Sequence, residues 1–104
     1  MSKKNFECPI ESVVNVIGGK WTIQILRELL EGEKRFSELQ KNLDGISPRT
    51  LSIRLKDLEG HQIINREVHS SIPPNVTYFL TEKGKALESI FDEMTKFGKN
   101  WLLG

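Results

Sequence analysis

Ser47-Pro48-Arg49-Thr50-Leu51-Ser52-Ile53-Arg54-Leu55-Lys56-Asp57-Leu58-Glu59 is the stretch on which the reading of this chain turns. Ser47 suits a helix N-cap and Pro48 the first helical turn, where its missing N–H costs nothing. Leu51, Leu55 and Leu58 then recur at i, i+4, i+7, which predicts an amphipathic helix with one leucine face. On a wheel of about 100° per residue, Arg49, Ile53 and Lys56 fall opposite that face, with Thr50 and Ser52 beside them.

Upstream, Ser37-Glu38-Leu39-Gln40 fits a capping box and predicts a short helix from Ser37 that ends before Gly45. Two short helices around a glycine turn make a helix-turn-helix. Downstream the period changes to two. Ile64, Arg66 and Val68 alternate with Asn65, Glu67 and His69, and Val76-Thr77-Tyr78-Phe79-Leu80 is rich in β-branched and aromatic residues. Ser70 to Asn75, with Pro73 and Pro74, carries turn chemistry. The order is that of a winged helix, in which the second motif helix enters the DNA major groove and the hairpin lies along the backbone.

Working outward, Cys8 and Pro9 cap a first helix through Val13, Val14, Val16 and Ile17 that stops at Gly18-Gly19. A second runs from Lys20 to Gly32, with Trp21, Ile25, Leu26, Leu29 and Leu30 as its apolar stripe. Thr81 caps a last helix from Glu82 towards the C-terminus, interrupted by Gly84 and Gly98. The expected fold class is α+β, mostly helical: one winged helix-turn-helix domain over 1–104, with a two-stranded wing, flanking N- and C-terminal dimerisation helices, and a flexible N-terminus over 1–7.

Composition limits the alternatives. The chain has 104 residues, 38% hydrophobic and 28% charged, which is ordinary for a globular domain and too apolar for disorder. Its single cysteine excludes an internal disulfide and a multi-cysteine zinc site, and reads as cytoplasmic. No apolar run approaches the roughly 18 residues of a membrane helix, so no membrane partner is expected. Fifteen basic against fourteen acidic residues leave a net charge of +1, so any nucleic-acid site must come from local placement.

Such placement is present. Arg49 lies near the N-terminus of its helix and Asp57 and Glu59 near the C-terminus, the reverse of what the helix dipole favours. A phosphate backbone at the N-terminal turn would reverse that account, since Arg49, free N–H groups and the dipole all attract an anion. Ser47, Arg49, Thr50, Ser52, Ile53, Arg54 and Lys56 form the expected DNA face, with Ile53 placed for a thymine methyl. Lys20, Lys34, Arg35 and Arg66 are further phosphate contacts that position without specifying, and Asn75 would contribute from the wing. Ordinary solubilising charge is the competing reading of each cation, and the stem of Arg35 could equally cover Phe36.

Leu87, Ile90, Phe91, Met94, Phe97, Trp101 and Leu102 form a stripe that exceeds what so small a core can absorb. A twofold dimer, with the first helix and Val13 contributing, would cover it. Cys8, at a helix N-terminus, is the expected thiol sensor, because a helix dipole favours a thiolate. Glu7 and Glu11 oppose this, and the plain alternative is a small buried apolar residue. His61, His69 and Cys8 fit no metal-site spacing, so no metal or cofactor is expected.

The residues Cys8-Pro9-Ile10-Glu11, Ile17-Gly18-Gly19-Lys20-Trp21, Arg35-Phe36, Gly45-Ile46-Ser47, Thr50-Leu51, Leu58-Glu59, Arg66-Glu67-Val68, Pro73-Pro74, Tyr78 and Leu80-Thr81-Glu82-Lys83-Gly84 together resemble the HxlR-type bacterial winged-helix transcriptional regulators, related to the MarR group. The resemblance runs from Cys8 to about Trp101. It implies a homodimer on a pseudo-palindromic operator in double-stranded DNA, with 48–59 in the major groove, 70–75 as the wing, and the first and last helices as the dimer interface. In several members the cysteine matching Cys8 senses oxidants, quinones or aldehydes. One departure concerns the wing: the family often has a basic residue after the two prolines, whereas this chain has Asn75 and no Lys or Arg at the tip.

The expected function is therefore a sequence-specific homodimeric repressor of a stress or metabolic gene, responsive to oxidants or electrophiles through Cys8. A small-molecule effector in a cleft between dimer helices is equally allowed. The alternative class is a winged-helix module that binds protein through Ile53 and Ile72 without specific DNA binding. An enzyme is not expected, since Cys8 has neither a resolving cysteine nor an evident base beside it in sequence.

Overall fold

The computed structural model describes residues 8–104, and the expected flexible segment over 1–7 lies outside the described residues. Helix α1, Pro9–Ile17, begins after Cys8 and stops at Gly18, and α2, Lys20–Glu31, ends at Gly32. Thr22, Ile25, Leu26 and Leu29 of α2 are buried, so this helix forms the centre of the core. Helix α3, Phe36–Asn42, leads through Gly45 at φ +88° into α4, Pro48–Gly60. A positive φ of that size favours glycine and makes the tight turn between the two helices. The Ser47 hydroxyl accepts from the Thr50 N–H at 3.1 Å, which is the predicted N-cap of α4.

Strands β2, Ile64–His69, and β3, Asn75–Leu80, form the hairpin, with Ile64 opposite Leu80 and His69 opposite Asn75. Two short C-terminal helices follow: α5, Glu82–Lys85, and α6, Leu87–Phe97, which continues as a π-helical turn over Gly98–Leu102. Leu51, Leu55 and Leu58 pack with Leu26, Leu39 and Ile64 in one core, as the i, i+4, i+7 spacing requires. Among the described residues no buried side-chain nitrogen or oxygen lacks a hydrogen bond.

The structure departs from the sequence reading in five places. First, α3 begins at Phe36, not at Ser37. The Glu38 carboxylate accepts from the Arg35 N–H at 2.8 Å, so Glu38 closes the helix start and Ser37 is exposed. Second, Lys34–Arg35 form a strand, β1, pairing antiparallel with Tyr78 and Thr77, so the sheet has three strands in the order β1-β3-β2. Two residues carry no readable period, and only pairing defines such a strand. Third, Asn75 is the first residue of β3, which leaves Ser70 to Pro74 as the wing tip.

Fourth, the last helix is divided at Ala86. The Thr81 hydroxyl accepts from the Gly84 N–H at 3.0 Å and donates to the Gln62 carbonyl at 2.7 Å, while the Lys83 ammonium donates to the His61 carbonyl at 2.9 Å. Gly84 is buried against the backbone carbonyl of Ile63, where any Cβ would collide. This glycine permits close approach of α5 to the connection between α4 and β2; it does not interrupt a helix.

Fifth, Leu87 and Phe91 belong to the core of their own chain, not to an external stripe. Met94, Phe97 and Trp101 follow on the same side of the helix but are exposed, because the domain body ends near Phe91. The radius of gyration of 15.4 Å exceeds the roughly 13 Å of a compact chain of this length, consistent with a projecting α6.

Candidate nucleic-acid interface

Helix α4 presents its outer face free of the rest of the domain. Arg49, Ser52, Ile53, Arg54 and Lys56 are all exposed, and among the described residues none of the three cations has an ion-pair partner. Arg49 stands in the first turn, where uncapped N–H groups and the positive end of the helix dipole converge. Ser47 and Thr50 differ from the others. The Ser47 hydroxyl donates to Thr50 Oγ1 at 2.9 Å while accepting the Thr50 N–H, so the Ser47 hydroxyl is engaged in capping, whereas the Thr50 hydroxyl accepts one bond and keeps its own proton to donate.

The acidic C-terminal end of α4 has a local explanation that spacing did not reveal. Glu59 lies 3.9 Å from Arg66 of β2, and Asp57 lies 3.8 Å from His61. Each contact is exposed and worth little energetically. Arg66 therefore has a neighbouring carboxylate, and the case for α4 rests on its N-terminal half.

The expected accessory cations separate. Lys34 is a correction: its ammonium donates to the Glu28 carbonyl at 3.0 Å and to the Glu31 carboxylate at 3.3 Å, with its side chain only 15% exposed. It closes the C-terminus of α2, where a cation offsets the helix dipole, and does not offer a free phosphate contact. Lys20 is exposed, with its ammonium 4.8 Å from the Trp21 ring centroid, a cation–π geometry that leaves other donors to solvent. Arg35 and Asn75 share a groove with Glu33, Glu38, His69 and Thr77. Sequence reasoning missed this grouping because it depends on β1 pairing with β3. Two carboxylates in the groove offset the charge of Arg35.

Asn75 has a structural duty. Its amide donates to Ser71 Oγ at 3.0 Å, and that hydroxyl donates to the Pro73 carbonyl at 2.7 Å, bracing the wing tip. The tip itself holds no cation, and Ile72 is fully exposed there.

A family model described as an HxlR-like helix-turn-helix matches residues 16–103. The chain belongs to the HxlR family. An HTH-type transcriptional regulator of Synechocystis sp. is 45% identical over 95 residues, 91% of this chain and 70% of the relative. Among solved structures, the oxidised form of the redox regulator HypR aligns with TM-score 0.81 and 40% identity over 88% of this chain and 95% of that one. The reduced form of the transcriptional regulator YodB from Bacillus subtilis aligns with TM-score 0.84 and 38% identity over 92% and 95%.

This HxlR-family protein is thus a helix-turn-helix transcriptional regulator with a winged-helix fold of the MarR type, in a family of regulators and not of enzymes. Its Cys8 is half-buried at the N-cap of α1, and the Cys8 carbonyl accepts from the Ser12 N–H and hydroxyl at 2.9 and 3.3 Å. The thiol makes no capping bond. Among the described residues no cluster of three metal-ligating side chains occurs, and no helix is long and apolar enough to cross a membrane.

Proposed function

We propose that this regulator is a cytoplasmic homodimeric repressor that places α4 of each protomer in successive major grooves of a pseudo-palindromic operator. The observation that carries this reading is the outer face of α4, where unpaired cations and one apolar side chain stand on a helix whose other face is fixed in the core. Arg49, Ser52, Ile53, Arg54 and Lys56 form the contact set, with Lys20 and Arg35 outside it as weaker phosphate contacts. Ser47 serves it by capping and Asn75 by bracing the wing, and Thr50 adds a hydroxyl donor beside it.

Dimerisation uses Val13 of α1 with Ile90, Met94, Phe97 and Trp101, all exposed in the single chain. Ser12, Val13, Val16 and Ile17 of α1 border an apolar groove that continues to Leu87 and Ile90 of α6, so the two helices offer one continuous surface.

The test is titration of a duplex from upstream of the protein's own gene against a scrambled duplex at two salt concentrations. Preference for the native duplex and a steep loss of affinity with salt are expected, because each phosphate contact releases counterions. Arg49→Ala costs about 1–3 kcal/mol in the same assay. Asn75→Ala changes affinity by under about threefold, since a neutral brace releases no counterion. Equal losses at the two positions would overturn that ranking, and binding indifferent to salt would favour the protein-docking module.

Cys8 is the proposed signal input. The relatives whose structures are named for redox function or redox state support a thiol response in this chain; with one cysteine per chain, any disulfide joins subunits or attaches a small thiol, and alkylation of the same thiol is the other route. Treatment with diamide, or with a quinone that alkylates thiols, is expected to lower operator affinity at least about tenfold in the wild type. Cys8→Ser is expected to remain bound, and an unchanged response in that variant would remove Cys8 from the mechanism.

A further inference from the structure

The exposed face of α4 is polar except at one position. Ile53 lies midway between Arg49, one turn before it, and Lys56, about one turn after it, and its side chain is 48% exposed and absent from the core cluster. Nothing in the fold of the single chain accounts for it there. A β-branched residue is a poorer helix former than alanine, and a half-exposed isoleucine recovers little by burial within its own domain. Its stiff χ1 does, however, present a rigid apolar group that loses little freedom on being covered.

The two flanking cations indicate what covers it. A protein partner apolar enough to bury Ile53 would also have to accommodate both charges and the positive end of the helix dipole within one turn on either side. The major groove of DNA meets both demands, with phosphates at its edges and base edges between them. Among the groups that base pairs display there, the thymine 5-methyl is the apolar one. The Ser47 hydroxyl is spent on capping, and Ile53 stands between Arg49 and Lys56 on the exposed side of the helix.

We infer that Ile53 reads a thymine methyl group in each half-site of the operator, and that this contact is a specificity determinant of the regulator. The inference rests on α4 being the recognition helix, and the test separates the two claims. The probe is the duplex that the wild-type protein enriches from a random-sequence pool. Each thymine of one half-site is replaced in turn by uracil, which deletes the methyl group and leaves every hydrogen bond of the base pair in place.

Wild type is expected to lose about fourfold in affinity at one thymine per half-site, the equivalent of one buried methyl group, and roughly fifteenfold when both half-sites are substituted. Ile53→Ala, a surface change in a helix, is expected to fold normally and to bind the thymine and uracil duplexes equally. Indifference of the wild type to every uracil, or an undiminished thymine preference in Ile53→Ala, overturns the role of Ile53 while leaving α4 as the recognition helix. If no sequence is enriched from the pool, the recognition-helix reading fails and this inference fails with it.

Discussion

Leu51→Ala is expected to destabilise the folded chain by about 2–5 kcal/mol, the largest single effect anticipated here. Leu51 is fully buried, and it is the first leucine of the α4 core face, in the same core cluster as Leu26 of α2 and Leu39 of α3. Truncation loses the transfer energy of the removed carbons and leaves a cavity in the core. Typical domains are stable by about 5–15 kcal/mol, so a loss of this size is a large part of the total. At fixed protomer concentration, thermal unfolding followed by circular dichroism should show Tm lowered on the order of 10–30 °C. Ser52→Ala, on the exposed side of the same turn, should stay within about 0.5 kcal/mol of wild type. A loss below about 1 kcal/mol for Leu51→Ala would mean that α4 is not anchored by its leucine face.

The second large effect concerns assembly. Phe97 and Trp101 are 57% and 76% exposed on the projecting end of the C-terminal arm, and Ile10 and Val14 of α1 are exposed as well. Large aromatic side chains left in water in this way are characteristic of the buried centre of an interface, where truncating one costs about 2 kcal/mol or more. Replacing both Phe97 and Trp101 by Asp is expected to weaken self-association on the order of 10³-fold or more, with helical content retained because neither side chain belongs to the domain core. Sedimentation equilibrium over a range of concentrations reads this directly. Operator affinity should fall further than half-site affinity, because only the full operator benefits from joining two recognition helices. A wild type that sediments as a monomer at tens of micromolar would overturn the homodimer, and a double variant that still dimerises would place the interface elsewhere.

Local chemistry made much of this protein legible as a string. Ser47-Pro48 and the three leucines that follow specified where α4 starts and which face it buries. Gly18 and Gly32 ended the first two helices, and the turn residues around Pro73-Pro74 separated two strands. These signals act within one or two turns of chain, so sequence neighbours suffice to read them. The outer face of α4 was legible for the same reason, since a helix that buries Leu51, Leu55 and Leu58 must expose Arg49, Ile53 and Lys56.

Tertiary structure alone decided the rest, because those features depend on residues distant in sequence. A two-residue strand exists only by pairing with Tyr78 and Thr77, and that pairing brings Arg35 to Asn75 and His69. Gly84 reads as a helix breaker until the Ile63 carbonyl is found against it. The apolar stripe of the last helix divides at Phe91 into core and surface only where the body of the domain ends. Hydrophobic periodicity tells which side of a helix avoids water; it does not tell whether the same chain or another one provides the cover.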